Sequence, residues 1–219
     1  MTTRVKVCCI QDLDEAHAAI AAGAWALGLV AEMPSGPGPI SDERIATILD
    51  GLPAGIETFL LTSRTDAGAI IEHHRTCPAT TLQLVDHVPE DELRRLRRRL
   101  GGVRLVQVIH VLGPQSVEEA LAVAPLVDMV LLDSGKPHAE QRTLGGTGDT
   151  HDWQISRQTR ERLEIPMFLA GGLHPGNVAE AIRTVKPFGV DLCSGLRDRN
   201  RLIPRTLDSF MSEVGRVGA

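Results

Sequence analysis

The chain has 219 residues, 28 of them acidic and 23 basic, for a formal net charge of −5 at pH 7, enough to bury one sizeable core in a single domain spanning residues 1–219. No tyrosine is present, and the only dense basic run, residues 94–99, is interrupted by Leu96 within a helical pattern. It reads as a solvated face, which argues against a nucleic-acid partner.

No apolar run approaches the ~20 residues of a membrane span, and the N-terminus opens on a charged strand with no signal-peptide core, so a cytoplasmic protein with no membrane partner is expected. The four cysteines, Cys8, Cys9, Cys77 and Cys193, lack CxxC or zinc-finger spacing. A disulfide framework is not expected in so apolar a chain, and adjacent Cys8 and Cys9 are badly placed to bridge each other.

Short β-branched or Leu-rich runs alternate with longer segments of helical period. Strands are predicted near Arg4 to Ile10, Trp25 to Val30, Ile56 to Leu61, Thr80 to Leu84, Arg104 to His110, Met129 to Leu132, Met167 to Leu169 and Gly189 to Leu192. Helices are predicted to begin near Asp12, Ser41, Asp66, Pro89, Gln115, Gln154, Pro175 and Arg201, with Asp12, Ser41 and Asp66 as caps. Eight such units predict an α/β fold, a (β/α)8 TIM barrel; an open doubly wound sheet is the rival, normally with fewer strands.

Two connections stand apart. Residues 33–39 are rich in Pro and Gly and read as a restricted loop over the rim. Residues 135–152 form the longest connection, and its Gly145-Gly146-Thr147-Gly148, followed by Trp153, suggests a loop that folds over a ligand.

Chemistry is sought at the carboxyl ends of barrel strands. On the first strand, alternation puts Lys6 and Cys8 on one face and Val5, Val7 and Cys9 on the other. Cys8 fits a small buried hydrophobe. It also fits a general base whose thiol a neighbouring ammonium would make more acidic. Asp133, ending an apolar strand, reads either as a turn cap or as a carboxyl raised by desolvation into a general acid.

Glycines after the seventh and eighth strands, Gly171-Gly172 and Ser194-Gly195, let backbone N–H groups approach a phosphate, or simply make tight turns. Lys6, Gly146, Gly171, Gly172, Asp191, Ser194 and Gly195 are the candidate residues for a small phosphorylated substrate. His110, Asp86 and His87 read more readily as ordinary polar residues. His73 and His74 lie in an exposed-looking helix and point different ways, so no metal site is expected there.

Lys6-Val7-Cys8, with Asp133-Ser134, Gly145-Gly146-Thr147-Gly148, Asp152-Trp153, Leu169-Ala170-Gly171-Gly172-Leu173, Pro175, Asn177-Val178, Gly189-Val190-Asp191 and Ser194-Gly195, resemble the phosphoribosylanthranilate isomerase family in order and spacing. The resemblance implies a cofactor-free (β/α)8 enzyme of tryptophan biosynthesis, monomer or homodimer, that performs an Amadori rearrangement. It assigns Asp133 as the acid that opens the ribose ring, Cys8 as the base at C2, and Asp191 to the neighbourhood of the reacting sugar.

The sequence departs from the family pattern in four places. Cys9 stands where a glycine is usual, and Gly38 stands at or near an arginine that grips the anthranilate carboxylate. Val85-Asp86 replaces His-Gly after the fourth strand, and Arg197 replaces an acidic residue after the eighth. Three other readings therefore stand beside that activity: a paralogue using the same acid and base on another phosphorylated N-glycoside, a lyase or transferase using Cys8 as nucleophile, and a silent binder of phosphorylated ligands.

Overall fold

In a computed structural model of the protein, which describes residues 2–34, 36, 38–135 and 150–218, the alternating pattern folds into eight successive βα units. The strands are β1 (Arg4–Val7), β2 (Ala26–Val30), β3 (Glu57–Thr62), β4 (Thr81–Leu84), β5 (Arg104–His110), β6 (Met129–Asp133), β7 (Met167–Leu169) and β8 (Gly189–Leu192). Each pairs in parallel with the next, and β8 pairs with β1 through Lys6 opposite Asp191, so the sheet is a closed barrel and not an open one. Around it lie α1 (Leu13–Ala21), α2 (Asp42–Asp50), α3 (Ala67–Thr76), α4 (Glu90–Arg99), α5 (Gln115–Val123), α6 (Trp153–Arg162) and α7 (Val178–Val185), then a hairpin of β9 (Arg197–Asp198) and β10 (Arg201–Leu202), and α8 (Pro204–Gly218).

Local chemistry sets many boundaries. Asp12, Ser41 and Asp66 cap α1, α2 and α3 by accepting from the backbone N–H of Glu15, Arg44 and Ala69, each cap worth about 1 kcal/mol. β1 stops at Val7, short of the predicted Ile10, because Cys9 takes a left-handed backbone (φ 63°). The β9–β10 hairpin turns on Arg199 and Asn200, both with positive φ, which delays the last helix to Pro204 where the sequence pattern placed it near Arg201. Helix α7 starts at Val178 and not at Pro175. The preceding turn is held by Asn177, whose Oδ1 accepts from His174 N at 2.8 Å while Nδ2 donates to Gly172 O at 3.0 Å.

Alternation along the strands sorts the core into two shells. Outward residues such as Val5, Val7, Leu27, Leu60, Leu82 and Leu132 pack beneath the helices. Inward residues such as Ala26, Phe59, Val106, Leu131 and Phe168 fill the barrel. At the amino-terminal end, Trp25, Phe59, Phe168 and Phe188 meet with ring centroids 5.6–6.3 Å apart. The Arg4 guanidinium lies 4.5 Å from the centroids of both Trp25 and Phe188. This aromatic floor seals one mouth and leaves the carboxyl ends of the strands for chemistry.

Above the floor the barrel holds a charged pair. Lys6 is fully buried, its Nζ 2.8 Å from Asp191 Oδ2 and 5.1 Å from the Phe59 ring centroid. Deleting one partner strands the other charge in the core. Lys6→Met and Asp191→Ala are each expected to lose about 3–5 kcal/mol in urea unfolding, while Lys6→Met/Asp191→Leu recovers most of that loss; equal losses in the single and double variants would show that the pair does not act as a unit.

Candidate active site

Cys8 follows β1 directly and keeps the inward direction of Lys6. It is 5% exposed and packs with the barrel-filling side chains. Space for it comes from Gly28 on β2, since a Cβ there would lie 2.7 Å from Cys8 Sγ and 3.2 Å from Lys6 Cε. Gly28 drew no attention in the sequence, where a glycine inside an apolar strand carries no chemical label.

Asp133 ends β6 facing the same interior, 8% exposed, and its Oδ1 accepts from the Ser134 N–H at 2.8 Å. Lys6 and Asp191 act electrostatically on both Cys8 and Asp133. The thiol and the carboxyl therefore belong to one cluster at the carboxyl end of the barrel.

Burial dominates the acidity of these groups. The Asp133 carboxyl is pushed above the usual carboxylate range by desolvation, against the pull of the Ser134 N–H and the His110 charge. That is the direction expected for a general acid.

Cys8 goes the other way from the sequence expectation. Lys6 does draw its pKa down, but desolvation outweighs it and Asp191 opposes it, so the thiol is pushed up to about 11. An ammonium already paired with a carboxylate has little field left to give its neighbour.

The strand ends after β7 and β8 lie side by side. Gly171 and Gly172 have φ of 87° and 60°, open only cheaply to glycine. A Cβ at Gly171 would lie 2.8 Å from Ser134 Oγ, and one at Gly195 would overlap the Leu173 carbonyl oxygen. The β7 and β8 loops thus approach backbone to backbone, with Ser194 exposed at the mouth. Asp191 Oδ1 is buried and, among the described residues, has no hydrogen-bond partner. Gly146 and the rest of residues 145–148 lie outside the described residues.

Comparisons with known proteins give this geometry a family. Residues 66–199 match the family described as N-(5'-phosphoribosyl)anthranilate (PRA) isomerase. The N-(5'-phosphoribosyl)anthranilate isomerase of Methanocella arvoryzae is 33% identical over 213 residues, 97% of this chain and 98% of that protein.

The chain belongs to the phosphoribosylanthranilate isomerase family. Its fold agrees with the family member from Thermotoga maritima, with a TM-score of 0.84 at 27% identity over 98% of this chain and 99% of that one. It also agrees with a phosphoribosylanthranilate isomerase solved in complex with reduced 1-(o-carboxyphenylamino)-1-deoxyribulose 5-phosphate, with a TM-score of 0.81 at 25% identity over 98% and 99% of the two chains.

Against the family pattern, the rim is rebuilt at the positions where the sequence departs from it. Cys9 does not share the face of Val5 and Val7. Its left-handed backbone swings the side chain inward, where it forms a disulfide with Cys193, the residues lying 184 apart in sequence and 5.8 Å apart at Cα. This corrects the expectation of no disulfide: barrel closure sets the ends of β1 and β8 side by side, which cysteine spacing does not reveal.

Gly38 is pressed against the bridge, since a Cβ there would lie 2.7 Å from both Cβ and Sγ of Cys9. Gln11 Nε2 ties the two segments by donating to Cys9 O at 3.1 Å and Gly38 O at 3.0 Å. Arg197 turns away from the mouth into a nearly buried ion pair with Glu15 at 2.8 Å, and it donates to Cys8 O at 3.3 Å.

The remaining candidates sit apart from the thiol. His110 Nε2 pairs with Val85 O at 3.1 Å, and with Asp86 and His87 it lines a cleft of about 880 Å³ between α4 and α5. His73 is not exposed, as the sequence suggested, but buried: α3 turns it beneath α2, with Nε2 3.1 Å from Asp42 Oδ1 and Nδ1 3.3 Å from Thr62 Oγ1. It groups with Asp42 and Cys77, their ligand-type atoms within 4.8 Å of one another. The Arg64 guanidinium stands 3.9 Å from Asp42, a cation already beside that carboxylate. His74 caps the Ala79 carbonyl at 2.8 Å.

Two predictions follow from Cys8. Its pKa is about 11 when folded and 9.0 unfolded, so the unfolded chain ionises first. The stability Cys8 contributes is complete below pH 9 and is lost as pH rises through 11, about 2 kcal/mol at pH 10.5. Urea unfolding at pH 8 and pH 10.5 should show that loss shrinking in Cys8→Ser. Gly28→Ala, by crowding Cys8 Sγ, should lower kcat about 100-fold in a protein that still folds; wild-type turnover would mean that the thiol's position is unimportant.

Proposed function

We propose that the protein isomerises N-(5'-phosphoribosyl)anthranilate by an Amadori rearrangement, in tryptophan biosynthesis, using its own side chains and no cofactor. The observation that carries this reading is the co-location of an inward thiol and an inward desolvated carboxyl at the carboxyl end of the barrel, beside two glycine-rich strand ends.

The phosphate rests against the backbone N–H groups of Gly171, Gly172, Ser194 and Gly195, with Gly146 a further candidate contact from outside the described residues, and Lys6 supports the site from below through Asp191. Asp133, held protonated by burial, gives its proton to the ring oxygen. The furanose opens to an iminium at C1. That cation sits next to the C2–H bond and close to Cys8, and it offsets the desolvation that keeps the resting thiol protonated.

Cys8, its thiol proton released to solvent, then removes the C2 proton to give the enolamine and is itself a thiol again. Solvent protonates C1, and the C2 hydroxyl proton passes to the Asp133 carboxylate, which yields the ketone and restores the acid. The unpartnered Asp191 Oδ1 accepts from a sugar hydroxyl. The isomerase acts as a monomer or homodimer on a small phosphorylated substrate.

A second reading is favoured by one observation: the rim carries Cys9 in contact with Gly38, leaving no room for a side chain at position 38. The same acid and base would then serve a phosphorylated N-glycoside whose amine lacks the anthranilate carboxylate.

Incubation with enzymatically made phosphoribosylanthranilate should remove the anthranilate-type fluorescence, and in D2O the product should carry one solvent deuterium at C1. Cys8→Ala and Asp133→Asn should each lower kcat by about 10²–10⁴. Wild-type turnover in either variant would sink the mechanism, and turnover only of glycosides of uncharged amines would select the second reading.

A further inference from the structure

The Cys9–Cys193 bridge lies at the mouth of the barrel, between the residue after Cys8 and the residue before Ser194. It covalently joins the two segments that close the β1–β8 pairing, already held there by Cys8 N donating to Leu192 O at 2.9 Å. Its reach extends to a third segment, because the Cys9 side chain fills the space left by Gly38, and Gln11 holds both backbones. The loop after β8 is pinned at its far end by Arg197, through Glu15, Asn200 O and Cys8 O. The bridge pins its near end.

We propose that the Cys9–Cys193 pair is a redox modification site that sets how firmly the β8 loop grips an anion, so that a dithiol reductant weakens phosphate binding and an oxidant restores it. The proposal rests on the anion reading of the β7 and β8 loops given above.

The chemistry balances as thiol–disulfide exchange. A reductant thiolate attacks Sγ of Cys193, which is partly exposed whereas Cys9 is buried, and the Cys9 thiolate leaves. The second reductant thiol then attacks the mixed disulfide and releases Cys193. Two electrons and two protons end on Cys9 and Cys193, and the reductant leaves as a disulfide.

Cys8 does not short-circuit the exchange, because burial keeps its thiol protonated. Once the bridge opens, nothing covalent holds Cys9 to its left-handed backbone, a conformation that a non-glycine residue adopts only at a cost. The near end of the β8 loop loses its fixed distance from β1, and the ordering it must then undergo on binding comes out of affinity.

The test uses the whole protein and inorganic phosphate as probe. Protein prepared without reductant should show two free thiols after denaturation and a cross-linked Cys9–Cys193 peptide by mass spectrometry, and dithiothreitol should raise the count to four. The dissociation constant for phosphate, by calorimetry, should rise about five- to tenfold on reduction and return after treatment with diamide. Cys9→Gly, which suits the positive φ and so protects folding, and Cys193→Ser should show the reduced-state affinity with or without dithiothreitol.

Four free thiols in the unreduced protein would overturn the proposal, as would equal phosphate affinity in the two states. Equal, measurable affinity would leave the anion site standing; no phosphate binding in either state would remove the anion reading as well.

Discussion

The arrangement depends on an ion pair enclosed within the barrel. Lys6 and Asp191 face each other across the pairing that closes β8 onto β1, and neither side chain has appreciable contact with solvent. Such a pair gains little net stability, since the attraction roughly repays desolvation, but it is intolerant of being halved. That intolerance fixes the register of the closing strands. It also fixes Cys8 one inward step above Lys6, and the β8 loop one inward step above Asp191. The pair being neutral as a whole, the acidity of the thiol and of Asp133 is governed mainly by their lack of water, which pushes both pKa values up.

A polar interior of this kind needs an apolar floor. The four rings at the amino-terminal end provide it, using three of the four phenylalanines and one of the two tryptophans in the chain. Arg4, stacked on that floor, caps it from outside. Inward volume then falls from the aromatic rings at the floor to Gly28 beside Lys6 and Cys8. The low aromatic content excludes stacking platforms elsewhere because most of it is spent here.

The features legible in the sequence were those with a short period or a local partner. Alternation put Lys6 and Cys8 on one face of the first strand, and its place at the end of an apolar strand singled out Asp133. Side-chain caps marked the starts of α1, α2 and α3, and glycines marked the ends of β7 and β8. The missed features join residues far apart along the chain. Cys9 meets Cys193 across 184 residues and Arg197 meets Glu15 across 182, and only the closure of the barrel makes them neighbours. His73 was misread for a related reason: its burial comes from α2 and β3, not from the pattern of α3 itself. The sign of the Cys8 shift was misread because sequence adjacency shows the lysine and hides the burial that outweighs it, with the Asp191 carboxylate adding to that opposition.

The rim departures from the family pattern form one coupled change. A side chain at position 9 must occupy a left-handed backbone and point across the mouth, where a β-carbon built at position 38 would lie 2.7 Å from it. A β-carbon at either site therefore excludes one at the other, and Gly38 is the condition for Cys9. With Cys9 present, a second cysteine after β8 can cross-link the closing strands, and Arg197 can turn inward to Glu15 because the loop it follows is already anchored. An arginine placed at position 38 alone would collide with the bridge; accommodating it requires glycine at position 9, which removes the bridge. The covalent clamp at the mouth and a guanidinium at that point of the rim are alternatives, and this chain has taken the clamp.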